Sequence, residues 1–243
     1  MLVAVLSDIH ANRHAFEAVL DDVAQLAPAE TWCLGDVVGY GGEPDACTAL
    51  AVEHCDVVLA GNHDLAVTGE LALDEFSRGA ALAARWTREV MDAAAIAELA
   101  ELRPEGRRAG IGLYHGSPRD PVWEYVVSAL LAELCMDRLP GRIGLIGHSH
   151  VALSFTRADG AIATGERRRG GATAELDSGA WLINPGSVGQ PRDGDPRAAW
   201  LLLDTDAPSA RWMRTEYDVS GAQAAIRAAR LPDSLAERLE YGQ

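Results

Sequence analysis

The chain is organised around residues 56–64, which read Asp-Val-Val-Leu-Ala-Gly-Asn-His-Asp. The apolar run 57–60 predicts a short buried strand, and the glycine after it marks the end of that strand. The Asn62 side chain offers a neutral carbonyl oxygen to a hard or borderline cation, and the adjacent His63 could be a further ligand or a free acid or base. We therefore interpret this stretch as the edge of a metal site.

Other clusters of the same chemical kind also follow strand-like runs. They are Ser7-Asp8-Ile9-His10, Gly35-Asp36, Tyr114-His115-Gly116 and Gly147-His148-Ser149-His150, and with His63 they hold five of the seven histidines. In folds that alternate strands and helices, ligands bind beyond the carboxyl ends of the strands. We expect the clusters to meet at such an edge.

The alternation of strand-like and helix-like runs predicts an α/β fold. The first half places helix-like stretches between strand-like runs at 2–6, 31–34 and 57–60, and residues 65–102 are Ala-rich and helical in pattern. The second half has more adjacent strand-like runs, which favours two sheets packed face to face with helices outside over a single doubly wound sheet. Only residues 164–173 look like a flexible loop or linker. The length predicts a single domain over residues 1–243.

Composition excludes several classes of function. A net charge of -15 argues against a nucleic-acid polymer or an anionic membrane surface as partner, whereas a small anionic ligand remains compatible with local cations. The chain has no lysine, so it can offer neither a Schiff-base lysine nor a P-loop lysine. The cysteines lack C-x-x-C spacing, and no segment approaches the roughly 20 apolar residues of a membrane helix. We expect a soluble, cytoplasmic protein.

Spacing within the clusters suggests how their side chains converge. In Asp8-Ile9-His10 and His148-Ser149-His150 the donors are one residue apart, so on an extended backbone they project to the same side. The candidate ligands offer oxygen and imidazole donors without any thiolate: Asp8, His10, Asp36, Asn62, His115, His148 and His150. Such a set suits Mn²⁺, Fe or Zn²⁺ in an open catalytic site. It is too large for one ion and suits two ions that share a carboxylate.

In this order, the motifs D-x-H, G-D, G-N-H-D, H and G-H-x-H resemble those of the calcineurin-like metallophosphoesterases. The resemblance covers Asp8 to His150, and the segment Asn184-Pro185-Gly186-Ser187 is similar to a loop of the small bacterial phosphodiesterase branch. It implies a four-layer α/β/β/α sandwich of two mixed β-sheets flanked by helices. It also implies one metal held by Asp8, His10, Asp36 and His150, and another held by Asp36, Asn62, His115 and His148, with Asp36 as the bridge.

The resemblance further implies a reaction. A hydroxide bridging two divalent metal ions would attack the phosphorus of a small phosphodiester, and His63 would protonate the leaving oxygen as general acid. Mn²⁺ is the expected metal, with Fe, Ni²⁺ and Zn²⁺ as alternatives. The alternatives for function are a phosphomonoesterase or nucleotidase using the same site, and a non-catalytic protein-binding scaffold.

The sequence departs from some branches of this family. The turn after Asp36 reads Val-Val-Gly-Tyr-Gly, so it lacks the acidic residue and the arginine found there in Ser/Thr protein phosphatases and symmetrical dinucleoside tetraphosphatases. This argues against phosphoprotein and dinucleoside tetraphosphate substrates. Arg119 and Arg192, with Asn62, are the candidates for binding the substrate phosphate.

Two further features stay open at this stage. His14 could lie beside the metal site, but a histidine on the face of a helix is the preferred interpretation. The run Arg167-Arg168-Arg169 is interpreted as a solvated loop rather than a nucleic-acid patch. The sequence leaves the oligomeric state open.

Overall fold

A computed structural model describes residues 1–243, and two six-stranded mixed sheets form its centre. The first sheet has the strand order β3 (Val57–Val58), β2 (Glu30–Cys33), β1 (Leu2–Leu6), β11 (Ala198–Asp204), β12 (Ser209–Thr215), β9 (Thr173–Glu175). The second has the order β4 (Glu105–Arg108), β5 (Ile111–Tyr114), β6 (Ile143–Ile146), β10 (Ala180–Asn184), β7 (Leu153–Arg157), β8 (Thr164–Arg167). In each sheet three neighbouring strands run parallel: β1 to β3, and β5, β6 and β10.

Helices cover the outer faces of the sheets. They are α1 (Arg13–Leu26), α2 (Pro44–His54), α3 (Asn62–Thr68), α4 (Arg78–Val90), α5 (Ala93–Ala100), α6 (Ala129–Met136), α7 (Val219–Ala228) and α8 (Asp233–Tyr241). No helix is both long enough and apolar enough to cross a membrane.

Alternation along β1 shows how the layers form, since successive side chains of a strand point to opposite faces. Val3 and Val5 pack between the sheets, in a core that also contains Leu113 and Leu145 of the second sheet. The intervening residues Ala4 and Leu6 pack in a separate core with Phe16 and Val19 of α1. A third core joins the outer face of the second sheet to α6. The α/β fold with two mixed sheets flanked by helices is therefore confirmed.

The loop predicted at residues 164–173 is wrong at both of its ends. Residues 164–167 form β8 and residue 173 begins β9, and these are the edge strands of the two sheets. An edge strand takes its backbone hydrogen bonds from one neighbour, so it can form in a polar, exposed sequence that lacks an apolar alternation. The same reason explains the exposed edge strand β4, which the sequence did not predict.

Candidate active site

The predicted donors meet at the carboxyl ends of the parallel strands. The loop after β1 carries Asp8 and His10, and Asp36 follows β2. Asn62 begins α3, just beyond β3. The second sheet supplies the rest from the ends of β5 and β6: His115, His148 and His150. All of these side chains are buried, none being more than 4% exposed.

The donors form two groups that share Asp36. Asp8, His10, Asp36 and His150 place one donor atom each within 4.8 Å of one another, and so do Asp36, His115 and His148. The Asp36 Oδ2 atom lies 3.5 Å from Nε2 of both His10 and His115. Asn62 joins the second group, since its Oδ1 lies 3.2 Å from His115 Nε2. The geometry thus brings together every residue predicted as a metal ligand.

Backbone carbonyls orient three of the imidazoles. The Nδ1 atoms of His10, His115 and His150 lie 3.1 Å from Val38 O, 3.0 Å from Leu34 O and 2.6 Å from Gln190 O, respectively. A hydrogen bond at Nδ1 fixes the ring and leaves Nε2 to face the centre of the group, which is how metal-binding histidines are commonly held. These rings are prepared to donate a lone pair.

The donor set fits divalent cations. Asp8 Oδ1 is buried without a hydrogen-bond partner. The Nε2 atoms of His10 and His150 approach to 3.1 Å, and His148 Nδ1 lies 3.2 Å from His115 Nε2. Burial lowers the pKa of His10, His148 and His150 well below the usual value, so these rings are neutral and can bind metal. Burial also raises the pKa of Asp8 to about 7 and that of Asp36 well above its usual value. A cation among these carboxylates would offset that cost.

Five of the predicted ligands have a left-handed backbone conformation. Asp8, His10, Asp36, His148 and His150 all have positive φ, between 50° and 63°. The left-handed region costs an ordinary residue roughly 1–2 kcal/mol, so the surrounding structure must hold it. The backbone N–H groups of Asp8 and His10 donate to the carbonyls of Gly35 and Asp36, each at 2.9 Å. The loops after β1 and β2 therefore fix each other.

Asp64 also fixes these loops, a role that the sequence did not reveal. Its buried carboxylate accepts hydrogen bonds from the backbone N–H groups of Gly61, Val37 and Val38, at 2.9, 3.2 and 3.0 Å. These contacts join the start of α3 to the turn after Asp36. The adjacent Gly61 is needed because a Cβ there would lie 2.0 Å from Asp36 Oδ1. The only sequence signal was an aspartate three residues after a glycine at a helix start.

The segment after β10 supports the site from the other side. Asn184 Nδ2 donates to Gly147 O at 2.6 Å, and Ser187 Oγ donates to Asp8 O at 2.8 Å. Gln190, whose carbonyl orients His150, belongs to the same segment. These contacts give a structural reason for the polar residues at 184–190.

A cavity of about 310 Å³ opens above the donors. Its floor includes Asp36, Asn62, His63, His148 and His150. The wall is formed mainly by aromatic and arginine side chains: Tyr40, Phe76, Trp123, Tyr125, Arg192 and Arg238. The exposed carboxylate Glu75 also lines it. The cavity is the candidate substrate pocket.

His63 lies in the floor but outside both donor groups. Its ring packs against the rings of Tyr40 and Phe76, with centroids 4.4 and 5.2 Å away, and its Nδ1 has no hydrogen-bond partner. Burial, with Arg192 nearby, lowers the pKa of His63 to about 3. Gly39 lets the ring sit here, since a Cβ on Gly39 would lie 2.3 Å from His63 Nδ1. The ring is thus positioned by packing rather than by a carboxylate.

The structure separates the two arginines proposed from sequence. The Arg192 guanidinium lies over the Tyr40 ring at 5.7 Å and lines the cavity. Arg119 does not line it, because its guanidinium lies 3.6 Å from the Glu124 carboxylate of the same loop. The position of Arg119 therefore gives no support to its predicted contact with substrate. Arg238, which the sequence did not single out, does line the cavity.

The other residues whose roles the sequence left undecided do not line the pocket. The His14 ring faces Glu43 at 3.7 Å and does not line the cavity, in agreement with a helix-face histidine. Arg167 ends β8 rather than lying in a loop. The next arginine, Arg168, packs over the Trp212 ring at 4.9 Å and donates to Ser154 Oγ at 2.8 Å.

Comparisons with known proteins agree with this geometry. Residues 1–207 match the family model described as a calcineurin-like phosphoesterase superfamily domain. The uncharacterized protein MJ0912 of Methanocaldococcus jannaschii is 33% identical, and the match covers 100% of this chain and 98% of that protein.

Two solved structures extend the comparison. A metallophosphoesterase from Sphaerobacter thermophilus has a TM-score of 0.90 at 36% identity, over 100% of this chain and 99% of that one. The hypothetical protein PH1004 from Pyrococcus horikoshii OT3 shares the fold, with a TM-score of 0.78 at 19% identity over 100% of this chain and 98% of that one. The family suggested by the motifs is confirmed, and the chain belongs to the calcineurin-like phosphoesterase superfamily.

Proposed function

We propose that this phosphoester hydrolase cleaves small phosphodiesters with the help of two divalent metal ions. The observation that carries the proposal is the sharing of Asp36 by two buried donor groups at the floor of one pocket. A shared carboxylate between two groups of neutral donors suits a pair of ions rather than one. Membership of the superfamily supports phosphoester hydrolysis in general.

We propose that the ligands divide between the two ions as the resemblance to the family implies. Asp8, His10, Asp36 and His150 would hold one ion, and Asp36, Asn62, His115 and His148 would hold the other. Oxygen and imidazole donors suit Mn²⁺ as well as Fe, Ni²⁺ and Zn²⁺, and we propose Mn²⁺ first. When bound, such ions act as Lewis acids toward the phosphoryl group and lower the pKa of bound water.

His63 is proposed as the general acid. Its ring lines the pocket between the donors and the aromatic wall. Nδ1 is buried against Gly39, so Nε2 is the nitrogen that would pass a proton to the leaving oxygen, a role worth about 10²–10⁴-fold in rate. Burial and the charge of Arg192 keep the free ring neutral by lowering its pKa, so it would take up this proton once an anionic substrate offsets the charge of Arg192.

Arg192 and Asn62 are proposed to bind the phosphate. The Arg192 Nη2 donates to Gln190 Oε1 at 2.8 Å, while its buried Nε has no partner. Its guanidinium lines the pocket, and the charge-assisted bonds of arginine suit phosphate oxygens. Asn62 lies at the floor beside His115, where it can meet the same group.

A phosphomonoesterase or nucleotidase is the second candidate. The observation that favours it is the presence of both Arg192 and Arg238 in the wall, since a monoester carries more negative charge than a diester. The protein-binding scaffold is less well supported, because it does not account for a complete and buried donor set.

Hydrolysis of bis-p-nitrophenyl phosphate and p-nitrophenyl phosphate tests the proposal. The protein would be stripped of metal and then reloaded with Mn²⁺. Metal-restored turnover of the diester that is lost in Asp36→Ala would support a phosphodiesterase, and preference for the monoester would favour the second candidate. Failure to bind metal would overturn the proposal.

A further inference from the structure

Arg238 of α8 places a second cation in the wall of the pocket. Its Nη1 donates to Gln190 Oε1 at 3.1 Å, and Arg192 Nη2 donates to the same oxygen at 2.8 Å. Arg238 Nε donates to the main-chain oxygen of Gln243 at 2.6 Å. The two arginines thus share one neutral side-chain oxygen, and neither forms an ion pair with an Asp or Glu side chain.

This arrangement is electrostatically costly without a ligand. The site is partly buried, and both burial and the charge of Arg192 lower the pKa of Arg238. Arg192 also has a buried Nε without a partner. An anion near both guanidinium groups would relieve their repulsion and accept the free donors.

The two arginines do not occupy equivalent places. Arg192 is held beside the floor, because its backbone N–H donates to His150 O at 3.0 Å and its guanidinium lies over the Tyr40 ring. The Tyr40 ring in turn packs against those of His10 and His63, with centroids 4.7 and 4.4 Å away. Arg238 is held instead by Gln190 Oε1 and the Gln243 main chain, and none of its hydrogen bonds reaches a floor residue. If Arg192 binds the scissile phosphate, Arg238 is left for a different anionic group.

Aromatic side chains line the same cavity. The rings of Phe76 and Trp123 pack edge to face with centroids 5.1 Å apart, and Tyr125 stacks on His148 at 4.0 Å. Partly exposed aromatic rings beside phosphate-binding groups provide a surface for a flat ring, and stacking of a base is worth about 1–3 kcal/mol. The cavity of about 310 Å³ suits a small ligand.

We infer that the substrate carries a second anionic group, bound by Arg238, and a flat ring that packs against the wall formed by Phe76, Trp123 and Tyr125. A nucleotide phosphodiester with an additional phosphate has this chemistry. The inference rests on the proposed function, because it assigns the scissile diester to the floor and to Arg192.

Two substrates with the same leaving group isolate the second anion. They are the p-nitrophenyl ester of thymidine 5′-monophosphate and the same ester with an additional 3′-phosphate. With Mn²⁺-loaded protein, the 3′-phosphate should raise kcat/KM about tenfold, as expected for a charge-assisted contact. In Arg238→Gln this ratio should fall below about threefold, and Arg238→Lys should restore part of it.

Arg230→Gln is the matched control, because Arg230 is an exposed arginine just after α7 that does not line the pocket. It removes the same charge and should keep the tenfold ratio. Equal kcat/KM for the two esters in the wild type, or a ratio that survives Arg238→Gln, would overturn the second-anion contact.

The flat-ring contact has its own test. Trp123→Ala should reduce kcat/KM for the thymidine ester about tenfold relative to methyl p-nitrophenyl phosphate, since only the former carries a base. An unchanged ratio between these two esters would overturn the stacking contact.

A direct binding measurement separates this inference from the proposed function. If no p-nitrophenyl ester is hydrolysed, the proposed function fails. Calorimetric titration with thymidine 3′,5′-bisphosphate and thymidine 5′-monophosphate would still show whether the second phosphate tightens binding through Arg238. Turnover of bis-p-nitrophenyl phosphate without any preference for the second phosphate would overturn the inference alone.

Discussion

The floor and the wall of the pocket are built in different ways. The floor donors are buried, follow the parallel strands, and are fixed by backbone hydrogen bonds from neighbouring loops. The wall comes from loops and from the C-terminal helix α8, and its side chains are partly exposed. Strand ends can hold donor atoms to within tenths of an ångström, whereas loops and helices can vary without disturbing them. From this difference we expect the reaction to depend on the floor and the choice of substrate to depend on the wall.

Of all the changes considered, removal of the shared carboxylate should cause the largest loss of kcat/KM. Asp36→Ala should reduce kcat/KM by about 10⁴-fold or more, because both donor groups lose a ligand that would help hold Lewis-acidic ions. Turnover of bis-p-nitrophenyl phosphate and metal content by mass spectrometry check this. Asp21→Ala, at an exposed position of α1, is the control. Retention of both metals and of activity in Asp36→Ala would contradict the assignment.

The general acid should give the next largest effect. His63→Ala should slow esters with poor alkoxide leaving groups by about 10²–10⁴-fold and p-nitrophenyl esters far less, since a good leaving group does not need a proton. The measurement is kcat on a methyl or ethyl diester beside a p-nitrophenyl diester, with metal content checked in the same preparation. Equal losses on both would remove His63 from this role.

Loss of an arginine should lower kcat/KM less than these changes, and only where the arginine lines the wall of the pocket. Arg192→Ala should lower kcat/KM about 10–100-fold, mainly through KM, because charge-assisted hydrogen bonds to phosphate are lost. Arg119→Ala removes the same charge from a side chain that does not line the pocket and should stay within about threefold. Initial-rate kinetics on the diester compare the two. Similar losses in both variants would mean that net charge, rather than position, explains the effect.

The smallest effect, on thermal stability rather than on activity, is expected at the opposite end of the sheets. Glu30 of β2 accepts two hydrogen bonds from Arg108 of β4, at 3.0 and 2.7 Å, and so joins the two sheets. Arg108, and then Trp32, lower the pKa of Glu30, so its contribution is present above the ordinary pKa of glutamate and is lost as the pH falls through the folded value.

Glu30→Gln tests this pair. It should lower the melting temperature by about 1–2 °C at pH 7, as expected for an exposed ion pair, and the difference from wild type should shrink as the pH falls below the ordinary pKa of glutamate. Thermal unfolding across this pH range is the measurement. A difference that grows toward low pH would contradict the sign, and altered kinetics would contradict the separation of the two ends.

The floor was predictable from the sequence and most of the wall was not. Every donor stands in a short motif after an apolar run, and the ends of parallel strands meet at one edge, so strand pattern and motif order were enough to bring them together. Arg238 lies in an ordinary amphipathic helix more than 40 residues beyond Gln190, its partner in space. Nothing in the local pattern indicates that this helix reaches the pocket.

The same limit explains the other misses. Arg119 and Arg192 both follow motif residues, but only the folded conformation of their loops shows that one faces Glu124 and the other faces Tyr40. The edge strands β8 and β9 lack the apolar alternation that identifies buried strands. The single domain over residues 1–243 stays a prediction.

The left-handed backbone at Asp8, His10, Asp36, His148 and His150 restricts what can replace these residues. Asparagine, aspartate and glycine tolerate that conformation, whereas valine, isoleucine and threonine are penalised there before any chemistry is considered. A descendant of this protein that no longer needed its ligands would therefore drift toward asparagine or glycine at these positions. Asparagine or glycine at these positions would then still mark the former ligands in the sequence after the activity had been lost.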